Sequence, residues 1–226
     1  MGALGGMRRN VEVKARLRER AAALGAALRE RGRGQGQGGQ EPPQVCPGTG
    51  QCLGLCQVCP GVGQVLLQTD TFFRVPRGRL KLRRTQDGRG ELIFYERPDN
   101  AGPKLSQFST SATADPEGLQ AVLSQALGVL GTVHKERLLV LLGQTRLHLD
   151  RVQGLGDFLE LEVVLGPEQS ELDGQRRARE LLREFGIEEQ DLIPGAYLDL
   201  LLARGQQGDS GDSPQCHPLA GQGQQG

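Results

Sequence analysis

The fold of this chain is decided by the stretch Phe158-Leu159-Glu160-Leu161-Glu162-Val163-Val164-Leu165, where two carboxylates lie two positions apart among aliphatic residues. Successive side chains of a β-strand point to opposite faces, so Glu160 and Glu162 share one face and the neighbouring aliphatic residues share the other. The stretch therefore predicts a strand with one apolar face and one acidic face.

The same alternation recurs with other charges. One face carries Glu12 and Lys14 in residues 11–16, another carries two bases in residues 80–83, and a third carries His148 and Asp150 in residues 147–150. These strands could be half buried, with their charges facing water, as antiparallel sheets allow. They could also form a closed barrel with a polar interior. The pattern alone leaves both alternatives open.

Length and charge exclude several classes of protein. A chain of 226 residues accommodates one sizeable domain plus tails. Its formal net charge of zero offers no overall field for nucleic acid or an anionic membrane, so we expect neither as a partner. No apolar run approaches the ~18 residues of a membrane span, and the N-terminus lacks the apolar core of a signal peptide. We expect a cytoplasmic protein with reduced thiols.

Local patterns predict an α+β fold with a mainly antiparallel sheet. Alternation and β-branched or aromatic content predict strands at 10–16, 65–75, 79–85, 90–97, 136–142, 145–152 and 158–165. Helices are predicted at 17–31, from Pro116 to the stop at Gly131, and from Pro167 to Gly186. Short turns such as residues 87–90 join successive strands, which favours antiparallel pairing.

Two Gly-rich stretches interrupt this pattern. Residues 32–63 form a predicted inserted loop that contains a tandem 13-residue duplication, and residues 203–226 form a predicted disordered tail after a domain at 9–202. The loop also carries Cys46, Cys52, Cys56 and Cys59, whose spacing includes one C-x-x-C but not the paired knuckles of a zinc ribbon. Zinc binding and incidental thiols both remain open.

The charged strand faces together indicate a site for a metal and a polyphosphate. If they meet inside a barrel, carboxylates oppose bases, and clustered carboxylates favour a hard cation among them. Lysine and arginine would then hold phosphate oxygens. The acids of this set are Glu12, Asp150, Glu160 and Glu162, and the bases are Lys14, Lys81, Arg83, Arg97 and Arg137.

Several motifs carry a resemblance to a known family. They are Val11-Glu12-Val13-Lys14, Lys81-Leu82-Arg83, Tyr95-Glu96-Arg97-Pro98, Lys135-Glu136-Arg137, and Asp150 with Gly154-Leu155-Gly156-Asp157-Phe158-Leu159-Glu160. Together they resemble the CYTH family of triphosphate tunnel metalloenzymes, which groups class IV adenylate cyclases with thiamine triphosphatases. The Gly154–Phe158 stretch is most similar to the bacterial cyclase branch.

The resemblance implies a closed antiparallel eight-stranded β-barrel, a triphosphate tunnel, with flanking helices. It implies metal ligation by the four acids named above and phosphate binding by the five bases. Lys104 and Arg146 are further implied substrate-binding residues.

This chain departs from the family pattern at two places. Asn10 stands where the family's Glu-x-Glu-x-Lys motif has its first glutamate, which predicts weaker metal binding. Gly195-Ala196-Tyr197 lacks the basic residue and serine that often precede this tyrosine. We expect Tyr197 to be a core residue with its hydroxyl satisfied. His148 shares a strand face with Asp150 and could join the metal site, but we favour a hydrogen-bonded lining role for it.

The resulting functional hypothesis is a phosphohydrolase that depends on Mg²⁺ or Mn²⁺ and acts on a nucleoside, thiamine or inorganic triphosphate. Its partner is a small-molecule triphosphate, and the protein is a monomer or homodimer. The alternatives are a class IV adenylate cyclase and a non-catalytic polyphosphate-binding module. The catalytic base is left open between Glu12 and Glu160.

Overall fold

A computed structural model of the protein describes residues 7–17 and 63–208. Its strands are β1 (Arg8–Arg16), β2 (Gln64–Phe73), β3 (Arg79–Thr85), β4 (Gly90–Glu96), β5 (Lys104–Thr113), β6 (Val129–Leu142), β7 (Thr145–Val152) and β8 (Gly156–Val164). Its helices are α1 (Pro116–Leu127), α2 (Glu171–Glu184) and α3 (Tyr197–Gly208), with a 3₁₀ turn at Glu189–Asp191 before α3.

The eight strands form a closed antiparallel barrel in the order β1-β5-β4-β3-β2-β6-β7-β8. Strand β8 closes the barrel against β1, and this pairing sets Glu162 opposite Glu12 and Glu160 opposite Lys14. All four side chains line the interior cavity. The predicted closed eight-stranded barrel with flanking helices is confirmed, and the charged strand faces point inward rather than to water.

One apolar core lies outside the barrel, beneath α2. The outward residues Val11 and Val13 pack with the helix residues Ala178 and Leu181, and all four are at most 2% exposed. Helix α2 comes close to β1 at Gly174, where a Cβ atom would lie 2.6 Å from a methyl carbon of Val11. Any larger residue there would push the helix off the barrel wall.

A second apolar core fills one end of the barrel interior. Phe72, Tyr95, Phe158 and Tyr197 belong to this cluster, and the rings of Phe158 and Tyr197 lie 4.9 Å apart. Tyr197 is the first residue of α3, so the helix delivers a plug to this end. Lys14, Lys81 and Arg97 each lie over one of these rings, so the aromatic cluster directly borders the charged part of the interior.

Several element boundaries differ from the sequence prediction. Strand β5 was not predicted, because its sequence KLSQFSTSAT is mostly polar and shows little alternation. Strand β6 begins at Val129 rather than 136. Helix α2 begins four residues after Pro167, since Ser170 and Asp173 form a reciprocal capping box. Helix α3 runs past residue 202, the predicted domain boundary.

Some predictions fall outside the described residues. These are the helix at 17–31 beyond Leu17, the inserted loop with its four cysteines, and the tail beyond Gly208. Within the described residues, no helix has both the length and the apolar character needed to cross a membrane.

Candidate active site

The barrel encloses a charged cavity of about 340 Å³. Eight Lys or Arg residues and five Asp or Glu residues line it, so the lining carries excess positive charge. The bases are Arg8, Lys14, Lys81, Arg83, Arg97, Lys135, Arg137 and Arg146, and the acids are Glu12, Asp70, Glu91, Glu160 and Glu162. Most of these charges belong to two clusters on different walls. Each cluster contains both signs, but in opposite proportions.

The first cluster, the Asp70 cluster, consists of Asp70, Lys81, Arg83 and Lys135 on strands β2, β3 and β6. Arg83 donates to both Asp70 oxygens at 2.8 and 3.0 Å. The Nζ atoms of Lys81 and Lys135 each lie 3.0 Å from Asp70 Oδ2. Arg83 lies directly opposite Asp70 in the β2–β3 ladder, which explains why this pair meets. One buried carboxylate thus holds three cations together.

Charge and burial shift the pKa values of this cluster. Burial favours the neutral form of Asp70, but Arg83, Lys135 and Lys81 outweigh it and hold the Asp70 pKa well below its ordinary value. Burial and the nearby Arg137 charge lower the pKa of Lys135 to about 7, although Asp70 acts in the opposite direction. The cluster therefore has more positive charge than its own acid can neutralise.

The second cluster, the Glu160 cluster, lies on β1, β6, β7 and β8 and contains Lys14, Arg137, His148, Asp150, Glu160 and Glu162. Lys14 donates to Glu160 Oε1. Arg137 Nη2 lies 2.6 Å from Glu160 Oε2, and His148 Nδ1 lies 3.4 Å from the same oxygen. Burial disfavours the charge on Glu160, but Lys14 and Arg137 hold its pKa well below the ordinary value.

Asp150 is committed to positioning Arg137. Its two oxygens accept from Arg137 Nε at 2.7 Å and Nη2 at 2.6 Å, and Oδ2 also accepts from the Tyr197 hydroxyl at 2.9 Å. Against the effect of burial, Arg137 lowers the pKa of Asp150 to about 2. The prediction that Tyr197 is a core residue with a satisfied hydroxyl is confirmed, since its side chain is buried and bonded to Asp150.

His148, Glu160 and Glu162 form a compact group of potential metal ligands. One ligand atom from each lies within 4.8 Å of the others. His148 Nδ1 is 3.7 Å from Glu162 Oε1, and Arg146 approaches Glu162 Oε2 at 3.4 Å. The predicted hydrogen-bonded role of His148 is confirmed by its contact with Glu160. Its place among the potential ligands agrees with the other role that its strand position allows, membership of the metal site.

On β1, next to the strand that carries Glu160 and Glu162, the residues Glu12 and Asn10 also face the cavity. Glu12 forms an ion pair with Arg97 at 3.1 Å, and burial raises its pKa despite the Lys14 and Arg97 charges. Asn10 is 4% exposed, lines the cavity, and its Oδ1 has no hydrogen-bond partner among the described residues. A buried carbonyl oxygen without a partner is costly, so it fits a site that a cation completes.

The structure brings nearly all predicted site residues to this cavity. Glu12, Glu160, Glu162 and all the predicted substrate-binding bases except Lys104 line it, while Asp150 contacts it through Arg137. Lys104 instead donates to the Pro194 carbonyl at 2.6 Å and to that of Asn100, at the plugged end. Burial and the Arg97 charge lower its pKa to about 8.

Two members of the Asp70 cluster were missed in the sequence. Asp70 lies in a predicted strand, but as a lone acid among Gln and Thr it gave no reason for selection. Lys135 precedes the predicted start of its strand at 136, so its shared face with Arg137 was not recognised. Extending that strand backward would have placed both bases on one face.

A larger groove of about 860 Å³ lies beside the start of α1. Its lining includes three Asp or Glu residues, Asp115, Glu117 and Glu136, and three Lys or Arg residues, Arg84, Lys135 and Arg151. Because neither sign is in excess, this groove has less to offer a polyanion than the barrel cavity.

Comparison with known families agrees with this geometry. The model of the CYTH domain matches residues 61–197, more than half of the chain, so the chain belongs to the CYTH family of triphosphate-tunnel enzymes. No curated protein matches the chain significantly.

Solved structures share the fold along most of the chain. A conserved hypothetical protein from Pyrococcus furiosus is 22% identical with a TM-score of 0.62, covering 84% of this chain and 99% of its own. The PH1012 protein from Pyrococcus horikoshii is 21% identical with a TM-score of 0.61, covering 84% and 98%. A Vibrio parahaemolyticus protein described as a "putative adenylate cyclase" is 17% identical with a TM-score of 0.60, covering 87% and 99%. At these identities the likeness concerns the fold alone.

Proposed function

We propose that this protein is a phosphohydrolase that requires Mg²⁺ or Mn²⁺ and cleaves a nucleoside, thiamine or inorganic triphosphate inside the barrel. The observation that carries the proposal is that one cavity borders two clusters of opposite excess charge: in the Asp70 cluster three cations share one carboxylate, and in the Glu160 cluster three carboxylates share two cations. We call them the cation-rich wall and the carboxylate-rich wall. A metal–triphosphate complex has the complementary division, since its phosphate oxygens are anionic and its metal is cationic.

The Asp70 cluster and Arg137 would bind the phosphate oxygens. Lys81, Arg83 and Lys135 already converge on one point, so their amino and guanidinium groups need little reorganisation to receive an anion. Such fixed cations stabilise the negative charge that spreads over the transferred phosphoryl group. Asp150 keeps the Arg137 fork in place while its remaining N–H groups face the substrate.

The carboxylate-rich wall would hold the metal. Glu160, Glu162 and Glu12 supply the hard oxygen donors that Mg²⁺ and Mn²⁺ favour, and the unpartnered Asn10 Oδ1 adds a neutral oxygen. Of the four acids predicted as ligands, Asp150 is better assigned to positioning Arg137, because its oxygens already accept three hydrogen bonds. When bound, the metal ion neutralises phosphate charge and polarises a phosphoryl oxygen.

The organic part of the substrate has an uncharged wall available. Ile93 and the half-buried Phe108 line the cavity on β4 and β5. By contrast, the Gly154–Phe158 stretch that resembles the cyclase branch spans the end of the β7–β8 turn and the start of β8, and Arg204 of α3 donates to the Gly154 carbonyl. This stretch contributes no residue to the cavity lining, so product analysis has to decide between cyclisation and hydrolysis.

Product analysis tests the proposal directly. Purified protein is incubated with ATP, thiamine triphosphate and tripolyphosphate, with Mg²⁺ or Mn²⁺ and with EDTA. We expect metal-dependent release of inorganic phosphate. Cyclic AMP with pyrophosphate would instead identify the adenylate cyclase. Binding of all three compounds without turnover would identify a polyphosphate-binding module.

The cytoplasmic location and the monomeric or homodimeric state stay predictions. Gel filtration combined with light scattering would decide the oligomeric state of the purified chain.

A further inference from the structure

A nitrogen donor lies beside the two glutamates of the carboxylate-rich wall. His148 Nδ1 lies 3.4 Å from Glu160 Oε2 and 3.7 Å from Glu162 Oε1. Two ligands of one octahedral ion, each about 2.1 Å from it, are separated by about 3.0 Å when adjacent and about 4.2 Å when opposite. Both separations exceed the adjacent-ligand value by no more than about 0.7 Å, so small side-chain shifts would bring His148 Nδ1 into one coordination sphere with either glutamate.

The barrel wall holds these three side chains in position. His148 lies directly opposite Glu160 in the β7–β8 ladder, and Glu162 follows Glu160 on the same inner face of β8. His148 is 4% exposed and Glu160 is 7% exposed. Neighbouring strands of a closed barrel cannot slide without breaking many ladder hydrogen bonds, so the donor set is fixed before a metal arrives.

Glu160 can accept a metal without leaving Arg137 unpaired. Arg137 also contacts Glu160 at 2.6 Å, but Asp150 holds its Nε and Nη2 atoms in a separate two-point contact. If a metal replaces Arg137 at Glu160, the guanidinium group therefore keeps an anionic partner and remains available to a phosphate.

Asn10 gives an independent indication that a cation belongs here. Its carbonyl oxygen is buried, lines the same cavity and has no hydrogen-bond partner among the described residues. Asn10 is opposite Val164 and lies diagonally across the β1–β8 ladder from Glu162. This buried oxygen shares the inner face of β1 with Glu12, so it is available as a further oxygen donor to an ion held there.

We propose that His148 is a metal ligand, and that this mixed nitrogen and oxygen site selects a first-row divalent transition ion such as Mn²⁺ over Mg²⁺. Mg²⁺ favours an all-oxygen shell, whereas imidazole nitrogen binds transition ions more strongly. The inference rests on the metal site of the proposed function, because it names the ion which that site takes.

The test measures metal binding without turnover. Mn²⁺ binding is followed by electron paramagnetic resonance and calorimetry, and Mg²⁺ binding by competition. Electron spin echo measurements on bound Mn²⁺ should show the ¹⁴N coupling of a coordinated imidazole. His148→Asn should abolish this coupling, and His148→Asp should replace nitrogen by oxygen and lower Mn²⁺ over Mg²⁺ selectivity by about tenfold. The matched control is His134→Asn, since His134 is an exposed histidine on β6.

The outcomes separate this inference from the proposed function. Bound Mn²⁺ without ¹⁴N coupling in the wild-type protein overturns the histidine ligand and leaves a metal-dependent hydrolase intact. Unchanged selectivity in a folded His148→Asp variant does the same. No binding of either ion, with or without tripolyphosphate, overturns both. The wild-type spectrum decides the question even if both His148 variants fail to fold.

Discussion

The two charged clusters border one cavity but have opposite proportions of cations and carboxylates. The Asp70 cluster joins three cations to one carboxylate, whereas the Glu160 cluster joins three carboxylates to two cations and a histidine. Each cluster is built on a directly opposed pair in the sheet, Asp70 with Arg83 and Asp150 with Arg137. The two clusters therefore differ in the sign of their excess charge, and on that difference we assign phosphate to the first and a metal ion to the second.

The internal ion pairs also explain how the cavity stays stable without a ligand. Buried charges are tolerated only when they are paired, and here nearly every acid of the two clusters contacts a base. A metal–triphosphate complex would exchange these partners, with phosphate replacing Asp70 and Glu160 at the cations and metal replacing cations at the glutamates.

The largest effect should come from the carboxylate that joins most partners. Glu160→Gln removes the charge shared by Lys14, Arg137 and His148. We expect triphosphate hydrolysis to fall about 1,000-fold, comparable to the loss of a main transition-state contact. Phosphate release measures this, with Glu96→Gln, a carboxylate outside this cavity that pairs with the exposed Arg77, as the control. If turnover is absent in wild type and metal affinity is unchanged in Glu160→Gln, the enzyme proposal is wrong.

Removing the acid of the other cluster should chiefly affect stability. Asp70→Asn leaves Lys81, Arg83 and Lys135 without their common counter-charge. We expect the free energy of unfolding to fall by about 3 kcal/mol, as when one partner of a buried ion pair is lost. Urea unfolding measures the change, with the more exposed Asp157→Asn as control.

Tripolyphosphate should restore part of this loss, because an anion can replace the missing carboxylate. An Asp70→Asn protein that is as stable as wild type and gains nothing from tripolyphosphate would contradict the assignment of this cluster to phosphate binding.

Restoring the family's acidic residue should strengthen the carboxylate-rich wall. Asn10→Glu places a fourth glutamate on the inner face of β1 and β8, diagonal to Glu162. We expect Mg²⁺ affinity to rise about tenfold, or about 1.4 kcal/mol, since ligand charge tunes the affinity of oxygen-donor sites. Calorimetry measures the affinity. An unchanged or weaker Mg²⁺ affinity would show that Asn10 lies outside the metal site.

Lys135 should give the Asp70 cluster a pH dependence. Its pKa is about 7 in the folded protein and near 10.5 when exposed in the unfolded chain. Between these values the unfolded state holds the extra proton, so stability rises with pH, by at most about 1.4 kcal/mol per pH unit.

Urea unfolding from pH 6 to 10 measures this slope against Lys135→Met. The variant should lose the rise above pH 7 while keeping the contributions of Asp70, Lys81, Arg83 and Arg137. Parallel profiles for the two proteins would show that Lys135 keeps its proton throughout.

The smallest effect is expected from the Gly-rich insertion, which supplies no residue to either charged cluster. Deleting residues 36–62, most of the Gly-rich insertion, should leave the melting temperature and the activity nearly intact, because loop length alone changes stability little. Differential scanning calorimetry and phosphate release test this. A marked fall in either would reveal a structural or zinc-binding role for the cysteines.

The sequence predicted most of the fold because strand patterns are local. Alternating charged and aliphatic residues are visible wherever a strand has one apolar and one charged face, as in β1, β7 and β8. Strand β5 escaped because its residues are mostly Ser and Thr, and its inclusion in the sheet depends on pairing with β1 and β4. Such pairing is a property of distant segments.

The sequence by itself determined which residues are charged and which of them share a strand face, and this was enough to predict a metal and phosphate site. Only the tertiary structure decided which of them contact each other. The register between β6 and β7 places Asp150 opposite Arg137, and the register between β7 and β8 places His148 opposite Glu160. Asp150, predicted as a metal ligand, thus contacts Arg137 and Tyr197, and His148 lies beside Glu160 and Glu162. The alternation along one strand determines which face of the sheet a side chain occupies. The pairing of strands in the closed barrel determines which residue that side chain contacts.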